Sequence, residues 1–176
     1  MTNFVVDTNV ILAANSQHPE LSPACVVTCA KKLQDVMTSG VIVIDDGFEI
    51  LKEYQKKSNH KGGKRPGDAF LKWLLQNSRN PKFCQQVSIT LSGVPDKYVD
   101  FPDQILQDEF DPPDRKFVAT AHAHGGGPLI LQAADCKWVR WNDRLKASGV
   151  SVDYLCPDDI CKFYKSKFPD EDIPDF

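Results

Sequence analysis

Three short, wholly apolar runs, each followed by polar or acidic residues, constrain this chain more than any other feature. Phe4-Val5-Val6 ends at Asp7-Thr8-Asn9, Val41-Ile42-Val43-Ile44 ends at Asp45-Asp46-Gly47, and Leu129-Ile130-Leu131 is followed within a few residues by Asp135. A sheet with one wet face alternates apolar and polar residues. Runs without alternation suit strands covered on both faces, as in the interior of a parallel sheet. Between the first two runs, Ser22-Pro23 offers a helix cap followed by proline at the first helical position. Val26, Val27, Ala30, Leu33, Val36 and Met37 then recur at helical spacing until Gly40. The unit is therefore strand, helix, strand.

The rest of the chain continues the alternation. Phe48, Ile50, Leu51 and Tyr54 predict a helix, Ser58 to Gly67 is a break, and Asp68 is expected to cap a further helix carrying Phe70, Leu71, Trp73, Leu74 and Leu75, which Asn80-Pro81 ends. Val87 to Leu91 alternates like a strand, and Pro95 to Asp111 reads as irregular. A helix starts at Pro112-Pro113-Asp114 and stops at Gly125-Gly126-Gly127. Trp138 to Lys146 predicts a helix, Val152 to Leu155 a short strand and Pro157 to Lys167 a last helix. Strands and helices in this order predict a three-layer α/β/α, Rossmann-like fold around a mainly parallel sheet. At 176 residues the chain has the length of one domain, expected over 1–168 with an acidic tail over 169–176.

No apolar run approaches the roughly 20 residues that span a bilayer, and Met1-Thr2-Asn3 does not open a secretory signal. The expectation is a soluble, cytoplasmic protein with no membrane partner. The six cysteines are scattered, so a disulfide framework is not expected; Cys25 and Cys29 read as buried thiols rather than zinc ligands. Charge is unevenly spread. Lys52 to Lys82 carries +7 within a chain of net charge -3, and Asp96 to Asp114 holds seven carboxylates against one lysine. A protein that grips a phosphate chain while gathering carboxylates for metal needs such a division, although two solvated faces also account for it.

In doubly wound folds, sites form outside the carboxyl ends of the strands. Asp7, the acids after Ile44, Asp111 with Asp114, and Asp135 all fall there, from four separate segments. Singly, each is accounted for by a helix cap, Asp114 above all. Jointly they would repel unless a cation neutralised them, and hard oxygen ligands select Mg2+ or Mn2+.

These residues also carry a family resemblance. Phe4 to Leu12, with Asp7-Thr8-Asn9 inside it, resembles the opening of PIN domains; Asp114-Arg115-Lys116-Phe117-Val118-Ala119-Thr120-Ala121 resembles their later acidic helix start; and Leu129 to Trp138, with Asp135, resembles the strand and aspartate that complete the acidic quartet. The resemblance covers roughly Thr2 to Leu155. It implies a metal-dependent nuclease, most often acting on RNA and frequently the toxin of a toxin–antitoxin pair, so that RNA, an antitoxin protein and a second copy in a homodimer are the partners in view. It assigns Asp7, Asp114 and Asp135 as metal ligands and Asn9 as the partner orienting Asp7. The second acid is Glu49 or Glu53, one helical turn apart, with Glu53 preferred because Glu53-Tyr54 after Ile50-Leu51 is closer to the family, and Asp45 in reserve. Ala133-Ala134 departs from the hydroxyl-bearing approach usual before the last acid.

The expected activity is therefore hydrolysis of RNA by one or two cations held by Asp7, Glu53, Asp114 and Asp135, with Asp111 in support. The alternative is a degenerate domain of the same fold that binds RNA or a protein partner. Lys61, Lys64 and Arg65, in the basic loop, are the expected phosphate contacts, with Lys137, Arg140 and Arg144 as the second choice. Gly62-Gly63-Lys64-Arg65 lacks the spacing of a phosphate-binding P-loop, and His122 and His124 suit the carboxyl end of their helix better than a metal. Asn9, standing where a phosphotransferase of the haloacid dehalogenase kind places a second acid, argues against that chemistry.

Overall fold

The computed structural model describes residues 1–59 and 61–176; His60, inside the expected break, lies outside the described residues. The elements run β1 (Asn3–Val6), α1 (Thr8–Ala14), α2 (Pro23–Ser39), β2 (Val41–Asp45), α3 (Glu49–Lys57), α4 (Pro66–Asn77), β3 (Cys84–Val87), α5 (Gln104–Glu109), a 3-10 turn (Pro112–Asp114), α6 (Arg115–His124), β4 (Leu129–Gln132), α7 (Lys137–Ala147), β5 (Ser151–Tyr154) and α8 (Pro157–Lys167). The five strands form one all-parallel sheet in the order β3-β2-β1-β4-β5. The architecture is mixed α/β and consistent with three layers: α1, α2 and α4 pack on one another, while α6 lies across β1, β2, β3 and β4. Among the described residues no helix is long and apolar enough to cross a membrane.

The apolar runs occupy the centre. In register, Val5 pairs with Ile130 and Val6 with Leu131, while Phe4 lies opposite Ile42; Val5, Val6, Ile42, Val43, Ile44, Ile130 and Leu131 are all fully buried. Ser22 accepts a hydrogen bond from Cys25 N and Pro23 opens α2, as the sequence pattern predicts.

Several expectations are corrected. The edge strand β3 is Cys84–Val87, ahead of the alternating Val87 to Leu91, because an edge strand exposed on one side need not be apolar and here carries Gln85 and Gln86. Leu91 instead bridges Tyr98 in an arm outside the sheet. The stretch read as irregular contains α5, a helix capped by Asp103, which accepts from Leu106 N at 2.8 Å. Asp68 does not cap α4. It is wholly buried in the first turn and accepts from Asn15 Nδ2, Asn59 N and Arg65 Nε, each at 3.0 Å. The cysteines are corrected too: Cys25 and Cys156 form a disulfide, with Cα atoms 5.2 Å apart across a sequence separation of 131, which no local spacing announces. Residues 169–176 add no helix or strand but lie against the domain, with Phe176 edge-on to Tyr154 and Glu171 accepting from Tyr164 and Arg140.

Candidate metal centre

The strand order reverses direction between β1 and β4, which places the crevice of this fold at their carboxyl ends. Asp7 comes directly after β1. Its N–H extends the sheet by donating to Leu131 O at 2.9 Å, and its carboxylate starts α1 by accepting from Asn9 N at 3.3 Å. Gln132 Nε2 donates to the same carboxylate at 3.1 Å and Asn9 Nδ2 at 3.4 Å. Asp7 is 1% exposed. Its burial, followed by the charges of Asp114 and Asp135, pushes its pKa well above the usual carboxylate range, against the opposing Asn9 hydrogen bond.

Asp135 comes three residues after β4. Gln132 Oε1 accepts from its N–H at 3.1 Å, and its carboxylate accepts from Lys137 N at 3.0 Å, so Gln132 ties both central-strand aspartates together. Asp114 ends the 3-10 turn before α6 and accepts from Trp138 Nε1 at 3.2 Å. Burial and then the Asp135 charge push its carboxyl up to about 6, despite the Trp138 hydrogen bond. Burial raises Asp135 as well. Oxygens of Asp111, Asp114 and Asp135 all lie within 4.8 Å of one another.

Glu53 reaches the same place from α3. Asp45, at the end of β2, accepts from Glu49 N and Ile50 N, and Tyr54 donates to Val6 O, so α3 is held at both its start and its middle. Glu53 accepts from Thr8 Oγ1 at 2.7 Å and pairs with Lys116 at 2.5 Å and Lys57 at 3.4 Å. Burial works to raise its pKa, but the hydrogen bond and charge of Lys116, with Thr8 and Lys57, outweigh it and hold the carboxyl below the usual range. Glu49 is a surface residue paired with Lys52 at 2.6 Å.

The charges divide in an informative way. Lys116 pairs with Glu53 and Lys137 with Asp111, whereas among the described residues no lysine or arginine lies within ion-pair distance of Asp7, Asp114 or Asp135. Three buried or half-buried aspartates are thus left to repel one another. Asp111, Asp114 and Asp135 offer oxygen donors close enough to fit a hard divalent cation, and Asp7, not part of that 4.8 Å cluster, adds a carboxylate coupled by charge to Asp114 and Asp135.

The basic loop lies elsewhere. Gly67 N donates to Asn15 Oδ1 at the carboxyl end of α1, whereas Asp7 stands at the amino end, so seven helical residues, or ~10 Å, intervene. Lys61 and Lys64 are exposed; Arg65 instead serves the buried Asp68. The sequence reading missed Lys116, Gln132 and Thr8. Lys116 left one trace, a cation heading the otherwise unbroken buried stretch Phe117 to Ala121. Gln132 left another, a polar residue continuing a fully apolar strand.

Comparison with protein-family models, with curated proteins and with solved structures finds no match. The likeness to PIN domains accordingly rests on the motifs around Asp7, Asp114 and Asp135 alone.

Proposed function

We propose that this protein is a PIN-type nuclease that hydrolyses RNA phosphodiester bonds with Mg2+ or Mn2+ held by Asp7, Asp114 and Asp135. The observation that carries the reading is the close pair Asp114 and Asp135 at the crevice between β1 and β4, with Asp7 coupled to both by charge and, among the described residues, no ion-pair partner on any of the three. Such a set lowers stability unless a ligand neutralises it. When bound, the cation lowers the pKa of an attacking water and offsets charge developing on the phosphate oxygens.

The chain's own residues do the positioning. Asn9 and Gln132 fix the Asp7 carboxylate, Trp138 fixes Asp114, and the Lys137 N–H fixes Asp135. Glu53, kept ionised by Lys116 and Thr8, is the nearby base able to accept a proton from water. Lys116 also places a positive charge beside the site, suited to an anionic substrate.

The test is cleavage of a labelled single-stranded RNA with Mg2+ or Mn2+ against EDTA. Asp7→Asn and Asp114→Asn should each lower the rate by orders of magnitude with unchanged circular dichroism, while Glu49→Gln leaves it nearly intact. Cleavage that persists in EDTA, or that survives Asp7→Asn, refutes the proposal.

A further inference from the structure

Next to the aspartates the surface folds inward into a cleft of about 430 Å³, which the hydrolytic chemistry alone does not require. Asn9, Asp135 and Lys137 form the wall shared with the acidic site, and Phe163 and Lys167, one turn apart on α8, line it from the other side. His18, from the segment after α1, sets its ring 6.1 Å from that of Phe163 at an interplanar angle of 37°. The cleft therefore carries two kinds of group, cations and aromatic rings. Lys167, one turn along α8 from Phe163, and Lys137, at the start of α7, supply the positive charge. Lys137 is already paired with Asp111, but among the described residues no carboxylate lies within ion-pair distance of Lys167. The rings are those of His18 and Phe163, and the lining also holds the carboxylate of Glu20.

Cations and flat rings one helical turn apart suit the phosphate and the base of a nucleotide. We propose that the cleft is a subsite for one unstacked nucleotide beside the scissile bond, its base against His18 and Phe163 and its phosphate against Lys167 and Lys137. This rests on the nuclease reading above and adds the residues that hold the nucleotide. Stacking on aromatic rings is tolerant of base identity, so the subsite carries no sequence code.

The experiment measures binding of adenosine 5′-monophosphate and of ribose 5-phosphate to the full chain by calorimetry in millimolar Mg2+. Neither contains a diester, so binding is read without turnover. The monophosphate should bind at least about tenfold tighter than ribose 5-phosphate, the difference being the stacked base. His18→Ala and Phe163→Leu should weaken the nucleotide by about 5- to 100-fold and leave ribose 5-phosphate unchanged. Lys167→Ala should weaken both. His18 and Lys167 are exposed, so their variants keep the fold even if the Phe163 variant does not. Equal binding of the two ligands, or nucleotide binding indifferent to His18→Ala and Lys167→Ala, overturns the subsite. The two readings fail separately. Binding with the expected variant pattern but no metal-dependent RNA cleavage leaves a nucleotide site and removes the nuclease. Cleavage that depends on Asp7, in variants whose nucleotide binding is unaltered, removes the subsite alone.

Discussion

Replacing Asp114 by Asn should make the ion-free protein more stable, although removal of a carboxylate from a helix start ordinarily destabilises. A carboxylate at a helix amino end contributes about 0.3–1 kcal/mol, and on that view Asp114→Asn loses this amount. The structure argues otherwise, since Asp114 makes no capping hydrogen bond to α6 and its carboxyl is pushed up to about 6 by burial and by Asp135. Proton linkage sets the sign. A carboxyl whose folded pKa exceeds its unfolded value of 3.8 binds more protons when folded, so stability is full below pH ~4 and is lost as pH rises through about 6. The span of roughly two units corresponds to about 3 kcal/mol at pH 8. For a chain of this size each kcal/mol moves Tm by about 2–4 °C, so Asp114→Asn should raise Tm in EDTA at pH 8 by about 6–12 °C. At pH 4 the gain should nearly vanish. Asn keeps an oxygen for Trp138 Nε1, so packing does not confound the comparison.

Divalent cation should act unequally on the two proteins. At a hundredfold excess over its Kd, bound Mg2+ or Mn2+ stabilises the parent by about 2.7 kcal/mol, and the variant, lacking one ligand charge, should gain much less. Scanning calorimetry over pH 4 to 8, with EDTA or with metal, reads all four corners of this cycle. If Asp114→Asn is less stable than the parent in EDTA at pH 8, or if its gain is the same at pH 4, the repulsion argument is refuted and the helix-start reading stands.

Three further outcomes can be checked directly. Lys116→Met leaves Glu53 with only the more distant Lys57 as a cation and should cost about 1–3 kcal/mol by urea unfolding, most of it recovered in the double variant with Glu53→Gln; no recovery means the pair is not the cause. The double variant Lys61→Ala with Lys64→Ala should leave stability unchanged and, with both touching phosphate, flatten the salt dependence of RNA binding by about 1.4 in slope, whereas Arg65→Ala alone should destabilise by removing the cation paired with Asp68; equal stability of the two variants contradicts the structure. Free-thiol titration of the denatured, unreduced protein should find four of the six cysteines, and reduction should lower stability by about 2–4 kcal/mol; six reactive thiols deny the Cys25–Cys156 bond.

The centre of the sheet was the legible part of the sequence. β1, β2 and β4 are covered on both faces, so burial demanded the unbroken apolar runs that mark them, and Asp7 and Asp135 were visible because they stand where those runs stop. The edge escapes this logic: Gln85 and Gln86 satisfy β3 without an apolar signal, while of the alternating Val87 to Leu91 only Val87 belongs to the sheet and the rest runs on into an arm outside it. Contacts that depend on three-dimensional return of the chain were equally hidden. Nothing local to Arg65 shows that a buried Asp68 needs it, and nothing near Cys25 points 131 residues ahead to Cys156. Between Glu49 and Glu53 the helical period alone cannot choose, because one turn separates them. Their surroundings differ only once Thr8 and Lys116 are in place.

Other acids of this chain show how a carboxylate placed for stability is held. Asp45 is completely buried, yet it accepts from two backbone N–H groups at 2.8 and 2.9 Å and starts α3. Asp103 accepts from Leu106 N and pairs with Arg144, and these contacts hold its carboxyl below the usual range. Asp68 has a side-chain amide, a backbone N–H and an arginine. Each has donors enough for its negative charge, as burial of an ionised group demands. Asp7 and Asp114 are held less well: Asp7 has three neutral donors, none closer than 3.1 Å, and faces the charges of Asp114 and Asp135, Asp114 has a lone indole N–H, and both are pushed toward holding a proton. A chain able to satisfy Asp45, Asp68 and Asp103 could have satisfied these as well. That it leaves them short, at the one crevice where the sheet changes direction, is the local departure from stability that a fold tolerates where it binds something.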